Sequence, residues 1–316
     1  MKNFFYKFLF FSFFFIIGFV CLNIILSSFL LDQAEEEYYK EGKKFWEWPS
    51  SYGPINLHYV EKGEGPNHIL LIHGFRLHTY TWRHLIYPLS KAGYHVWALD
   101  LAGYGLSDKP QHASYNPEFF LKQIEDFLTA KNISSVHIIG NSMGGGLALN
   151  FVLDHPEKVK SLVLISPLGY PLDLPFYLSF TRHLGPLWTP FLGTIGVRQG
   201  LKGVLFDSKS VTEEQVAAYA LPYRFSGGST ASLLTLKQFD KERLVRLSKE
   251  YPSIENPALI IWGDDDQLIP IDHFHQFNAD FPNSECLLVN YCGHLPHEEK
   301  PEIVLEAIFK FLKNLL

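Results

Sequence analysis

Apolar residues along the chain fall into three regimes. The first is one unbroken run. From Phe8 to Leu31 there is no charged residue. At about 1.5 Å rise per residue a helix of that length spans roughly 36 Å, more than the roughly 30 Å hydrocarbon core of a bilayer. Lys2 and Lys7 precede the run, and Asp32, Glu35, Glu36 and Glu37 follow it. The pattern predicts a membrane anchor over residues 1–31 and a juxtamembrane connector over 32–50. A cleaved signal peptide is the alternative, with Ser27-Ser28 as a weak cleavage site. Its apolar region normally runs about 7–15 residues, whereas here it continues through Phe29, Leu30 and Leu31. Positive charge ahead of the run favours a cytoplasmic N-terminus and a domain facing away from the cytoplasm. Lys40, Lys43 and Lys44 on the other flank weaken that bias. Trp46 and Trp48 either rest at the membrane interface or pack on the domain.

The second regime consists of short apolar runs bounded by turn residues. Ile55–Glu61, His68–Ile72, Tyr94–Leu99, Val136–Ile139, Leu162–Ile165, Ala258–Trp262 and Cys286–Val289 read as strands. Helical patterns lie between several of them. In Pro117–Lys131, Asn116 can cap the helix, Pro117 suits its first position, and Phe120, Ile124, Phe127 and Leu128 share one face. Pro301–Leu316 reads as a terminal helix. Strands alternating with helices predict an α/β domain over 51–316 with a largely parallel sheet covered on both faces. The third regime interrupts this alternation from Ser166 to about Glu250. That stretch is rich in Pro, Gly and aromatic residues, with helical patterns at Glu213–Ala220 and Ser232–Leu247. It predicts a helical insertion over the strand ends.

Composition narrows the classes. The 316 residues carry a net charge of −6 with no basic stripe, so nucleic-acid binding has no electrostatic support. Three cysteines, of which Cys21 lies in the apolar run, allow at most one internal disulfide. No zinc-type spacing of Cys and His occurs, and no cofactor is implied.

The chemistry-bearing residues sit where strands end. Gly140-Asn141-Ser142-Met143-Gly144 follows the strand at Val136 and precedes the helical run Gly145–Leu153. A strand-to-helix turn that sharp needs small neighbours and leaves the serine hydroxyl standing clear at a helix N-terminus. A serine hydroxyl is a poor nucleophile and needs a base. His294 follows the last strand and is delivered to the sheet edge that presents Ser142; His297 is its rival. The acid should follow the preceding strand, where Asp264, Asp265 and Asp266 compete. Asp266, three past Gly263 and four before Pro270, is the choice, and it would hold the imidazole tautomer. The oxyanion donors expected are the backbone N–H groups of Met143 and Phe75, each typically worth about 2.7–4 kcal/mol. His73 is expected to brace its loop.

At these residues the sequence resembles the α/β-hydrolase superfamily in its lid-bearing branch, over about residues 55–314. The matching pieces are His73-Gly74-Phe75, Asp100–Ser107, Gly140–Gly145, Trp262–Pro270, and Gly293-His294 followed by Pro296, Glu299 and Pro301. The resemblance implies Ser142 as nucleophile, Asp266 as acid, His294 as base and 166–250 as the lid. Within the branch the chain resembles membrane-anchored monoacylglycerol lipases. Through Gly140–Gly145 it also resembles carbon–carbon hydrolases of ring-cleavage products. It departs from the latter at Phe75-Arg76, where they have a glycine-rich stretch, and at Leu295, where they have Trp. Epoxide hydrolases and haloalkane dehalogenases use Asp where Ser142 stands. The expectation is a serine hydrolase of apolar or lipid-like carboxylic esters. Two alternatives stand beside it: a carbon–carbon hydrolase of dienoic diketones with the same triad, and an inactive membrane-tethered binding protein.

Overall fold

The computed structural model describes residues 43–175 and 193–315, together with 178, 179 and 182. The run Phe8–Leu31 lies outside the described residues, as do Phe176, Tyr177, Phe180, Leu187, Trp188, Phe191 and Leu192 of the insertion. Among the described residues no helix is long and apolar enough to cross a membrane.

The strands are β1 (Lys44–Ser50), β2 (Gly53–Lys62), β3 (His68–Ile72), β4 (His95–Leu99), β5 (Val136–Asn141), β6 (Val159–Ile165), β7 (Ala258–Gly263) and β8 (Ser284–Val289). They form one eight-stranded sheet in the order β1-β2-β4-β3-β5-β6-β7-β8. β2 pairs antiparallel with β1 on one side and with β4 on the other, and every pairing from β4 through β3 to β8 is parallel. The central strands read as continuous apolar runs because both of their faces are covered. Leu70 and Ile72 of β3 point into one core with Phe120, Phe127, Phe151 and Phe277. Ile69 and Leu71 point into the other with Leu85, Leu89, Ile308 and Phe311.

The covering helices are α1 (Arg83–Lys91), α2 (Pro117–Ala130) and α3 (Met143–Asp154), and, after the insertion, α8 (Asp272–Asp280), the short α9 (Pro296–Glu299) and α10 (Pro301–Lys313). Asn116 caps α2 as its sequence predicts, accepting from the Phe119 N–H at 3.0 Å. α1 carries Pro88 in its interior, which hides it from pattern reading.

The boundary drawn at residue 50 needs correction. The last residues of the expected connector are β1, paired with β2 from Lys44↔Tyr59 to Ser50↔Gly53. Trp48 is buried on α2: its Nε1 donates to Asp126 at 2.9 Å, and its ring lies 5.3 Å from that of Phe119. Trp46 sits edge-on to Phe127 at 5.5 Å. Both tryptophans therefore pack on the domain.

The insertion contains α4 (Thr194–Val204), α5 (Glu213–Ala220), α6 (Gly228–Lys237) and α7 (Lys241–Ser248), with no strand among its described residues. One helix was expected over Ser232–Leu247. The structure breaks it, because the Asp240 carboxylate accepts from the N–H groups of Glu242 and Arg243 and starts a new helix.

Candidate active site

The turn between β5 and α3 is tight enough to force its own sequence. Ser142 has φ 53° and ψ −118°, a conformation a side-chain-bearing residue adopts only when its surroundings impose it. Its N–H donates to Ile165 O at 3.0 Å, and its carbonyl accepts from Leu168 N at 2.9 Å. A Cβ on Gly144 would lie 2.1 Å from Ile72 O, and one on Gly140 would lie 2.6 Å from Gly144 O. Glycine is required at both, and the serine side chain is left at the start of α3.

The β7 and β8 loops are zipped together beside it. Asp264 N donates to Val289 O and Asp265 N to Cys292 O, each at 3.0 Å. The three acids that compete in the sequence have separate partners. The exposed Asp264 carboxylate accepts from Cys292 N at 3.2 Å, and the carboxylate of half-buried Asp265 accepts from Gln267 Nε2 at 2.9 Å. Asp266 is buried; its Oδ1 accepts from Leu268 N at 2.9 Å and Ile269 N at 3.0 Å, and its Oδ2 from His294 Nδ1 at 2.7 Å. With Asp266 as the acceptor Nδ1 carries a proton, and in the neutral ring that tautomer leaves the lone pair on Nε2. Nε2 is buried and has no hydrogen-bond partner. The Asn141 amide, next to Ser142, donates to His294 O at 3.4 Å and to Ile165 O at 3.1 Å, which ties the histidine loop to the serine turn.

His297, the rival base, lies elsewhere. Its Nε2 meets Thr81 Oγ1 at 2.7 Å, and its ring lies 4.6 Å from that of Trp82. Burial pushes its pKa down to about 3. His73 braces its loop: its Nδ1 donates to Gly74 O at 2.8 Å, and its Nε2 accepts from Leu101 N at 3.1 Å. Burial lowers its pKa to about 4, so the ring is neutral. The loop it supports lies against the serine turn, since a Cβ on Gly74 would sit 2.9 Å from Asn141 Oδ1 and 3.1 Å from Ser142 Cβ. Phe75, Ser142 and Met143 line one cavity of about 160 Å³. Its remaining wall is mostly apolar, with Phe120, Leu147, Leu172, Leu236, Leu244 and Leu268 among the lining residues.

Two neighbouring glutamates, to which sequence reading gave no role, join the insertion to this site. Glu299 accepts from Gly293 N with one oxygen and from Phe206 N with the other, each at 2.8 Å. His294 N donates to Val204 O at 2.7 Å, so a backbone hydrogen bond joins the end of α4 to the histidine loop. Glu298 is buried and accepts from Thr81 Oγ1 at 2.6 Å, Arg83 at 2.9 Å, Gln215 at 3.4 Å and the Tyr219 hydroxyl. Burial alone would raise its pKa; the Arg83 charge, with His297, Thr81 and Tyr219, overcomes this and holds it below the usual value. Glu299 is visible in the sequence as part of a motif, whereas Glu298 carries no signal that separates it from a surface acid.

A family model for the alpha/beta hydrolase fold matches residues 67–301. The chain is 28% identical over 265 residues to the "uncharacterized hydrolase YugF" of Bacillus subtilis (strain 168), covering 82% of this chain and 95% of that protein. It is likewise 28% identical over 266 residues to a 2-hydroxy-6-oxononadienedioate/2-hydroxy-6-oxononatrienedioate hydrolase of Comamonas testosteroni, covering 82% of this chain and 92% of that protein. Among solved structures it is similar to a membrane phospholipase A described as a novel bacterial virulence factor. That match has a TM-score of 0.74 and 28% identity, and covers 95% of this chain and 98% of the other.

Proposed function

Because the chain belongs to the α/β-hydrolase family, we propose that it is a membrane-anchored serine hydrolase that cleaves apolar or lipid-like carboxylic esters through an acyl-enzyme on Ser142. The observation that carries this reading is the Asp266–His294 pair, with a buried Nε2 free to accept a proton, tied to a strained serine that lines an apolar cavity. In the reaction His294 Nε2 takes the Ser142 hydroxyl proton as Oγ attacks the ester carbonyl. Asp266 stabilises the imidazolium, and the Met143 and Phe75 N–H groups receive the oxyanion. The imidazolium then protonates the departing alkoxide, and water, activated by the same base, releases the acid. An apolar wall suits an acyl chain, since each methylene buried contributes about 0.8 kcal/mol until the cavity is filled. The likeness to a membrane phospholipase A supports a lipid ester, and the uncharged run Phe8–Leu31 supports a single-pass anchor with the domain outside the cytoplasm.

A second reading is favoured by the named hydrolase of Comamonas testosteroni: carbon–carbon hydrolysis of a dienoic diketone with the same three residues. A catalytically silent binding protein is the reading of another class. A fluorophosphonate probe on membranes holding the full chain separates the classes. Labelling that disappears in Ser142→Ala is expected; a wild-type chain that never labels removes the serine-hydrolase reading. A panel of p-nitrophenyl esters, monoacylglycerols and dienoic diketones then separates the two reactions. Turnover of diketones alone would leave the carbon–carbon reading. A native N-terminus found near Asp32 would replace the anchor with a cleaved leader.

A further inference from the structure

The apolar cavity has one buried polar feature that the triad does not use. Asn150 lies on α3 two turns beyond Ser142, about 12 Å along the helix at 1.5 Å per residue. It is 8% exposed and lines the cavity together with Ser142 and Gly146. One of its amide hydrogens goes to Gly146 O at 2.7 Å, and its Oδ1 accepts from Arg243 at 2.9 Å. Arg243, on α7, lines the same cavity. Its guanidinium also pairs with Glu118 of α2, while its Nε–H is buried with no hydrogen-bond partner. Among the other polar lining residues, Thr235 donates to Ala231 O at 3.0 Å, and Gln238 and Asp240 are exposed.

A cavity built only for hydrocarbon gains nothing from a guanidinium in its wall, and an unmet buried donor is costly. Ligand cavities place a few polar groups in an apolar wall to read a matching group on the ligand. We infer that Arg243 and Asn150 form a recognition station for a neutral oxygen, such as a hydroxyl, on the acyl chain about 12 Å from the scissile carbonyl. The oxygen is neutral because Glu118 already balances the Arg243 charge; a carboxylate would have to displace it or stay uncompensated. The preferred substrates are then esters of hydroxylated long-chain acids rather than of plain fatty acids. This rests on the ester-hydrolase reading above and specifies its acyl group.

The test compares p-nitrophenyl esters of ω-hydroxy acids of increasing length, each against its unsubstituted parent, with the full chain in detergent. The readout is the ratio of kcat/KM within each pair. At the length that reaches about 12 Å the ratio should rise to about tenfold, the effect of one well-made hydrogen bond. In Arg243→Met it should fall below one, and in Glu118→Gln, which keeps the guanidinium, it should stay above one. Wild-type ratios at or below one at every length overturn the station and leave Arg243 as a latch between the insertion and α2. A higher ratio for ω-carboxy esters than for ω-hydroxy esters overturns the neutral-oxygen assignment. Absence of turnover on every ester overturns the ester reading and the station with it.

Discussion

Replacing Asp266 with Asn removes one charge and adds one N–H at the same size. The carboxylate uses Oδ1 for the N–H groups of Leu268 and Ile269 and Oδ2 for His294 Nδ1. In Asp266→Asn the amide oxygen must stay on the two backbone donors, which places the new NH2 against the imidazole. Donor would face donor unless the ring moves its proton to Nε2, and an Nε2 that holds a proton cannot accept one from Ser142. The expected loss is about 10⁴-fold in kcat, roughly 5 kcal/mol at 1.36 kcal/mol per decade. KM should move little, since Asp266 does not line the cavity. The assay is steady-state hydrolysis of a medium-chain p-nitrophenyl ester by the full chain in detergent, with a thermal melt to show that the variant is folded. Asp265→Asn, which loses only an exposed contact to Gln267, should stay within about twofold of wild type. A folded Asp266→Asn within tenfold of wild type, or an equal loss in Asp265→Asn, would refute the assignment of the acid.

Other expectations can be checked alongside. Gly144→Ala puts a methyl 2.1 Å from Ile72 O, and the shift needed should cost about 1–3 kcal/mol in a denaturant titration and most of the turnover. Glu298→Ala leaves the buried end of Arg83 and the Tyr219 hydroxyl without their acceptor, so a loss of about 3–5 kcal/mol is expected; a loss under 1 kcal/mol would show that the network is dispensable. Buried His73, His137 and His297 have pKa values lowered to about 4, 4 and 3, chiefly by burial. Above pH ~6.5 they are neutral in both states and change nothing. As pH falls below that, the unfolded chain takes up protons the folded one refuses, so each should cost about 2 kcal/mol by pH 5. A denaturation midpoint equal at pH 7 and pH 5 would contradict this.

What could be read from the sequence, and what could not, follows from how each feature is encoded. His68–Ile72 of β3 and Glu213–Ala220 of α5 coincide with the predicted segments because a sheet covered on both faces and a capped helix leave local patterns. β1 was hidden because Trp48 alone is fully buried among its residues and Pro49 reads as a turn. The break at Asp240 was hidden because Phe239 continues the apolar pattern across it. Ser142, Asp266 and His294 are legible because each sits at a strand end with a local signature. Asn150 and Arg243 are not: one reads as an ordinary polar residue in a helix, the other as a surface charge. Their meeting depends on how the insertion folds back over α3, which no local pattern records.

The hairpin of β1 and β2 decides how this protein can be trimmed. Removing the apolar run to obtain a soluble form invites a cut at residue 51, where the connector ends by pattern alone. Such a cut would strip the outer strand and bare the rim of β2, from Gly53 to Tyr59, as a row of unpaired backbone donors and acceptors. It would also uncover Phe119 and Phe127, which Trp48 and Trp46 now shield. Bare strand rims with apolar flanks recruit further copies and aggregate. A chain begun at residue 43 keeps the whole ladder and should stay monodisperse in gel filtration. One begun at 51 should precipitate or run as large assemblies, although it contains every residue assigned to the chemistry.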